Sequence, residues 1–492
     1  MLLALVGLSA VVLPAPYTLV AAAGRAAGYR PGMSATRRPP RPSLVRTWLD
    51  RWSALLPVLV AEFVVLVGFG ALLPILPLYL VRNGIDNALL GLIIAAWPLA
   101  KLVSEPIFGY LADRRSRRPL MVAALLIMAF SMLLPVWFTT APAFFVSRLI
   151  GGAAAGMYDP AARGIIVDAT TEDRRGEAFG LYGSFQMGGL ILGPVLGSAG
   201  AAALGGFTFP FLLTAGLLVL STIYLWSALK LLPSAQRRSA GSAATEPPAA
   251  SASPAQVTRT NVDVPPSHLG PGGEELTIGL VAQAAIDAAA HRGPSLPVGP
   301  LLNRLLIAAV VMQFGFSFST GVYEVVWSLY MENLGASLEW IGLTFTLFAI
   351  PVVVVSPLAG RLVDRYGGIR FAVGGGLAVA AAGLAYTLAT EPVMPALVGL
   401  LEACGFAFLG PALFWLLARG TPAGRTSTAQ GIFGAAGTVG FIASALAAGT
   451  LWGIDTRFPF YLFVIVVVVS IGAGALIARW SAQPARAIAP PA

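Results

Sequence analysis

Apolar stretches of roughly twenty residues, the length that crosses a hydrocarbon core of about 30 Å, recur along the whole chain. Six fall at 53–81, 88–112, 119–139, 142–166, 178–204 and 207–231. Six more fall at 304–331, 338–362, 370–390, 393–418, 427–451 and 457–479. Short polar segments separate them, so the pattern predicts an all-α membrane protein of twelve transmembrane helices. The one long hydrophilic interval, 232–303, divides these spans into two groups of six. Within it Ser239–Gly272, rich in Ala, Ser, Pro and Gly, buries too little apolar surface to fold alone and reads as a linker. Glu274–His291 reads either as a short amphipathic helix on the membrane surface or as Ala-rich disordered chain.

The two groups are copies. Gly109-Tyr-Leu-Ala-Asp113-Arg114 returns as Gly360-Arg-Leu-Val-Asp364-Arg365, 251 positions later. The same offset aligns Glu62 with Gln313, Gly70 with Gly321, Leu78-Tyr79 with Leu329-Tyr330, Gly91 with Gly342 and Pro106 with Pro357. Two homologous six-helix bundles, 53–231 and 304–479, are therefore expected, joined by a cytoplasmic linker at 232–303. A cytoplasmic tail occupies 480–492. The extension 1–52, apolar and then Arg-rich, lacks the side-chain charge that precedes a signal core. It reads as a start assigned upstream of Met33, an extra span or an amphiphilic anchor. Internal duplication of this kind builds transporters that alternate access around a site at the bilayer midplane.

Arginine gives the orientation, because basic residues collect in cytoplasmic loops. Arg114, Arg115, Arg117, Arg118, Arg174, Arg175, Arg365, Arg370, Arg419 and Arg425 all fall on one side, with Arg82 and Arg457 alone on the other. Both termini are expected in the cytoplasm, with the spans in the cell membrane. A 57% hydrophobic chain with 11% charged residues cannot be soluble at this length. Its net charge of +9 lies in loops between spans, which excludes a nucleic-acid-binding face. Cys404 alone forms no intrachain disulfide, and His268 and His291 both lie in the hydrophilic middle. No metal cluster, nucleotide-binding loop or nucleophile–base pair stands out, so no cofactor and no enzyme is implied.

Ionisable residues inside the spans carry the candidate chemistry. They are Glu62, Lys101, Glu105, Arg148, Asp159, Glu324 and Glu402, with Arg163 near a span end. Each would cost about 3 kcal/mol facing lipid at the bilayer centre, so they should face a hydrated or paired interior. Lys101 and Glu105, four apart, are placed to neutralise one another. Arg148, Gly152 and Asp159 share one helical face. Gln313, Ser317, Thr320, Glu324 and Ser328 form a polar stripe on the seventh span.

Gly109-Tyr-Leu-Ala-Asp-Arg-Arg-Ser-Arg-Arg118 resembles the signature loop of the major facilitator superfamily, Gly-x-Leu-x-Asp-Arg-x-Gly-Arg-Arg, with Ser116 for the second glycine. The C-terminal copy keeps that glycine as Gly367 but loses the last two basic residues. Arg148-Leu-Ile-Gly-Gly152 resembles the family's fourth-helix pattern. Gly189-Leu-Ile-Leu-Gly193-Pro194-Val-Leu-Gly197-Ser198 resembles the fifth-helix pattern of its proton-driven exporters.

The resemblance implies the major facilitator fold, with the first and seventh helices lining a central cavity and Glu62 and Gln313 facing it. It also implies a conformational latch of Gly109, Asp113, Arg114, Arg117, Asp168, Gly360, Asp364 and Arg365. In it Asp113 meets the helix start near Thr426–Ser427 and Arg117 pairs with Asp168, while Asp364 turns to the fifth helix. The implied function is proton-coupled export of amphiphilic small molecules by a monomer, with protons as coupling ion and lipid as solvent. Trp97, Tyr182, Phe185, Phe316 and Trp327 are candidate cargo contacts. Rival readings are a proton-coupled importer of a sugar or other metabolite, and a transport-inactive membrane sensor.

Overall fold

The structure is a computed structural model describing residues 48, 51–171, 174–204, 206–228, 303–422 and 425–481. Met1–Leu56 and Pro57–Ala492 are two compact units, and only seven positions of the first, 48 and 51–56, are described. The expected extension, linker and tail, with His268 and His291, fall almost entirely outside the described residues.

Twelve long helices follow in order. In the first half they are α1 (Leu56–Arg82), α2 (Asn87–Arg114), α3 (Arg117–Trp137), α4 (Ala141–Ala169), α5 (Arg175–Leu204) and α6 (Phe209–Ala228). The second half holds α7 (Arg304–Asn333), α8 (Leu338–Tyr366), α9 (Gly368–Tyr386), α10 (Val393–Gly420), α11 (Thr426–Trp452) and α12 (Phe458–Ser481). A turn at 73–75 interrupts α1, where Pro74 offers no backbone donor. Eleven of the twelve are long and apolar enough to cross a membrane. The exception is α4, which carries Arg148, Asp159, Arg163 and Asp168. Its first three charges are buried among neighbouring helices, so a helix that composition disqualifies is held by the bundle.

The 251-residue offset survives in the turns. Gly84 and Gly335, one offset apart, both end their helices with positive φ, 73° and 83°. That left-handed conformation suits glycine. Asp86 and Ser337, also equivalent, cap α2 and α8 by accepting from Ala88 N at 3.0 Å and Trp340 N at 3.3 Å. The next equivalent pair diverges. Gly367 has φ 90°, whereas Ser116 adopts an ordinary extended conformation with φ −60°. The departure from the signature at Ser116 therefore carries no backbone strain, because the α2–α3 turn takes a different path.

Within the second unit the halves meet along α2 with α11 and α5 with α8. Both contacts depend on missing side chains. A Cβ on Gly91 would overlap the Ala445 carbonyl, and one on Gly342 would overlap the Ser198 hydroxyl. Small residues bring membrane helices close enough for dispersion and backbone dipoles to hold them without a hydrophobic driving force.

Candidate functional site

The fifth-helix pattern works on two faces. A Cβ on Gly189 or Gly193 would stand 2.6 Å from the carbonyl oxygens of Phe63 and Val67, and one on Gly197 would overlap that of Ala71. These glycines seat α5 against α1 inside the first half. The opposite face meets α8, where the Thr346 hydroxyl donates to the Ile191 carbonyl at 2.6 Å. The helix is continuous through Pro194, and this stretch forms part of the boundary between halves.

Against that boundary the intramembrane charges form a connected set. Lys101 pairs with Asp159 at 2.8 Å. Arg163 spans two acids, reaching Glu105 at 3.1 Å and Asp159 at 3.5 Å. The expected Lys101–Glu105 pair is replaced: α2 turns each residue toward α4, where a shorter, better-directed partner stands. Arg148 crosses between the halves to Glu324 at 3.4 Å and lies 4.8 Å over the Trp97 ring. Gln186 of α5 donates to Glu62 at 2.6 Å. Glu402 accepts from the hydroxyls of Tyr323 and Tyr386, each at 2.5 Å, within an aromatic cluster that includes Trp327 and Phe463.

Glu62, Trp97, Lys101, Arg148, Asp159 and Met132 line one cavity of about 40 Å³. That is room for ordered water and too little for a drug-sized molecule in this state. All its lining residues belong to the first half.

The polar stripe of α7 splits. Gln313 donates to Ser317 at 3.0 Å, and both crowd the point where a Cβ on Gly437 of α11 would sit. Gln313 is buried, and its amide lies against α11. Thr320 bonds its own helix at Phe316 O, 3.3 Å away, and Glu324 reaches the first half.

The latch residues sit on the arginine-rich side. Arg117 pairs with Asp168 at 2.5 Å and with Asp113 at 3.5 Å. Arg114 stacks on Tyr110 instead. Asp364 and Arg365 are exposed, and a Cβ on Gly360 would meet nothing within 4 Å. Gly109 is buried in its helix. The side chains of Thr426 and Ser427 lie outside the described residues.

On the opposite side Arg82 meets Glu332 at 2.6 Å across the halves and covers the Phe207 ring at 4.1 Å. One of the two arginines on the arginine-poor side thus has a structural reason to be there. With side chains 52% and 38% exposed, the pair is worth at most about 1 kcal/mol. Arg82→Gln should therefore shift the balance between open and closed outer ends by about fivefold or less, without loss of folded protein. Spin-label distances between the outer ends of α1 and α7 measure this, and a shift of well over tenfold would show that the pair is stronger than an exposed one.

The contacts of Gln186, Tyr323 and Tyr386 with buried acids are not among the roles read from the sequence. Tyrosines are unremarkable in apolar spans, whereas the lone amide Gln186 within α5 was a usable signal.

Two bundles of six helices, related by duplication and joined by the Arg148–Glu324 pair, define a membrane transporter architecture. The model of the Major Facilitator Superfamily matches residues 58–306 and 305–491, and the chain belongs to that superfamily. Multidrug resistance protein 2 of Bacillus subtilis is 24% identical over 418 residues, covering 83% of this chain and 91% of that protein. The quinolone resistance protein NorA of Staphylococcus aureus is 31% identical over 135 residues, covering 27% of this chain and 35% of that protein. Among solved structures, the nucleoside transporter NupG superposes with TM-score 0.63 at 13% identity, over 87% of this chain and 98% of that one. The human organic anion transporter MFSD10 gives 0.56 at 19% identity, over 86% and 98%. The protein is a multi-pass membrane transporter of this superfamily.

Proposed function

We propose that this protein is a proton-coupled exporter of amphiphilic, cationic small molecules, working by alternating access as a monomer in the cell membrane with both termini cytoplasmic. One observation carries the reading: acids outnumber bases in the intramembrane set. Lys101, Arg148 and Arg163 stand against Glu62, Glu105, Asp159, Glu324 and Glu402. Glu402 bonds two neutral hydroxyls, so a proton or a cargo cation suits it. The similarity to a multidrug resistance protein and a quinolone resistance protein supports the direction of transport.

The halves rock about the close α2–α11 and α5–α8 contacts. Arg82–Glu332 and Arg148–Glu324 hold the arginine-poor side shut, and Asp113 holds the other side when the arginine-rich ends meet. An acid that gives up its proton as cargo binds couples the two fluxes, because one carboxylate cannot neutralise both at once.

Purified protein in proteoliposomes with an imposed pH gradient should concentrate a cationic dye in the export direction. Glu62→Gln or Asp159→Asn should reduce this by about tenfold or more. Dye movement that ignores both substitutions and the gradient would refute coupling, and gradient-driven uptake of a metabolite would favour import.

A further inference from the structure

At the arginine-rich end of the first half, two arginines lie flat on exposed rings. The Arg114 guanidinium carbon is 4.2 Å from the centre of the Tyr110 ring, and that of Arg118 is 4.6 Å from the Trp226 ring. Tyr110 and Trp226 are 49% and 47% exposed, near the ends of α2 and α6. Arg118 also donates through Nη2 to the Trp226 carbonyl, which ties the start of α3 to the end of α6. The arginine run therefore divides by task. Arg117 turns to Asp168 and Asp113, whereas among the described residues no carboxylate pairs with Arg114 or Arg118.

Tyrosine and tryptophan at helix ends occupy headgroup depth. A guanidinium stacked on a ring keeps its edge N–H donors, and that planar fork matches phosphate. Toward the membrane interior, α2 exposes Val103 and Ile107, and α6 exposes Leu220 and Ile223. These offer apolar surface to an acyl chain. Arg114 and Arg118 are four residues apart, hence within about 14 Å of one another. The second half also sets Arg365 over Tyr366 at 5.3 Å and Arg419 over Trp415 at 4.4 Å, but Ile369 stands at the position equivalent to Arg118.

We propose that Tyr110, Arg114, Arg118 and Trp226 form a binding site for the phosphate headgroup of an anionic phospholipid in the arginine-rich leaflet. The charge decides between lipid classes: two cationic groups that no described carboxylate pairs favour a headgroup of net negative charge over a zwitterionic one. The exposed rings and flanking apolar residues favour lipid over soluble phosphate. A lipid held here braces α3 against α6 next to the Asp113 loop, so leaflet composition would bear on the arginine-rich end of the transporter.

The test uses the full chain in nanodiscs of phosphatidylcholine with and without phosphatidylglycerol, read by native mass spectrometry and thermal melting. Wild type should retain phosphatidylglycerol selectively and melt higher with it. Arg114→Gln with Arg118→Gln should lose retention by about fivefold per arginine, and with it most of the extra melting temperature that phosphatidylglycerol gives over phosphatidylcholine alone. Should that double variant fail to fold, Trp226→Leu decides the same way through its loss of retention. Arg457→Gln, on the arginine-poor side, should retain lipid as wild type does. Equal retention of the two lipids by wild type, undiminished retention in the folded variants, or equal protection by inorganic phosphate alone would each overturn the assignment.

Discussion

Replacing Arg163 with alanine is expected to remove most of the folded protein. Arg163 is 3% exposed and bonds Glu105 at 3.1 Å and Asp159 at 3.5 Å, and Glu105 is 1% exposed. Loss of the guanidinium leaves Glu105 without its cation in a site that water does not reach. Breaking a buried ion pair by removing one partner typically costs about 3–5 kcal/mol, because the remaining charge stays desolvated. Asp159 suffers less, since Lys101 remains at 2.8 Å. The asymmetry gives a second expected result: adding Glu105→Gln to Arg163→Ala should recover much of the loss, whereas adding Asp159→Asn should not. Monodisperse yield and melting temperature in detergent measure both. An Arg163→Ala protein that melts like wild type would mean that the network is hydrated and contributes little to the fold.

Gly197→Leu is expected to separate α5 from α1 and to abolish correctly assembled protein. At this position the first carbon of any side chain would overlap the Ala71 carbonyl oxygen, a backbone atom that cannot rotate away. Gly189 and Gly193 repeat the contact one and two turns earlier, so the helices cannot slide to relieve it. Overpacking of a fitted interior costs about 1–3 kcal/mol when side chains can give way, and more is expected where only backbones can. Gly216→Leu on α6 is the matched control, because nothing lies within 4 Å of its Cβ position. Equal melting temperatures for the two variants would show that the α1–α5 seam is looser than its geometry implies.

Both results depend on arrangements that the sequence only partly discloses. The twelve helices and the duplication were legible, because each depends on local properties: apolar length and repeated phrases at one offset. Even α4, with four charges, shows in the sequence as an apolar stretch at 142–166. The glycines of α5 were legible as a packing motif for the same reason, since four-residue spacing puts them on one face wherever the helix lies.

What the chain alone determined, then, is that buried charges of both signs exist inside a two-bundle membrane protein, and which helices carry them. Which charge meets which was decided by tertiary structure. Lys101 and Glu105 are neighbours on one helix, yet α4 supplies Asp159 and Arg163 at better geometry, and the expected pair does not form. Gln313 holds the position equivalent to Glu62, yet it packs against α11 while Glu62 lines the cavity. Helical periodicity fixes the face of a residue within its own helix. The partner across that face depends on how neighbouring helices are rotated and how close their glycines let them come, and this is a property of the assembled bundle.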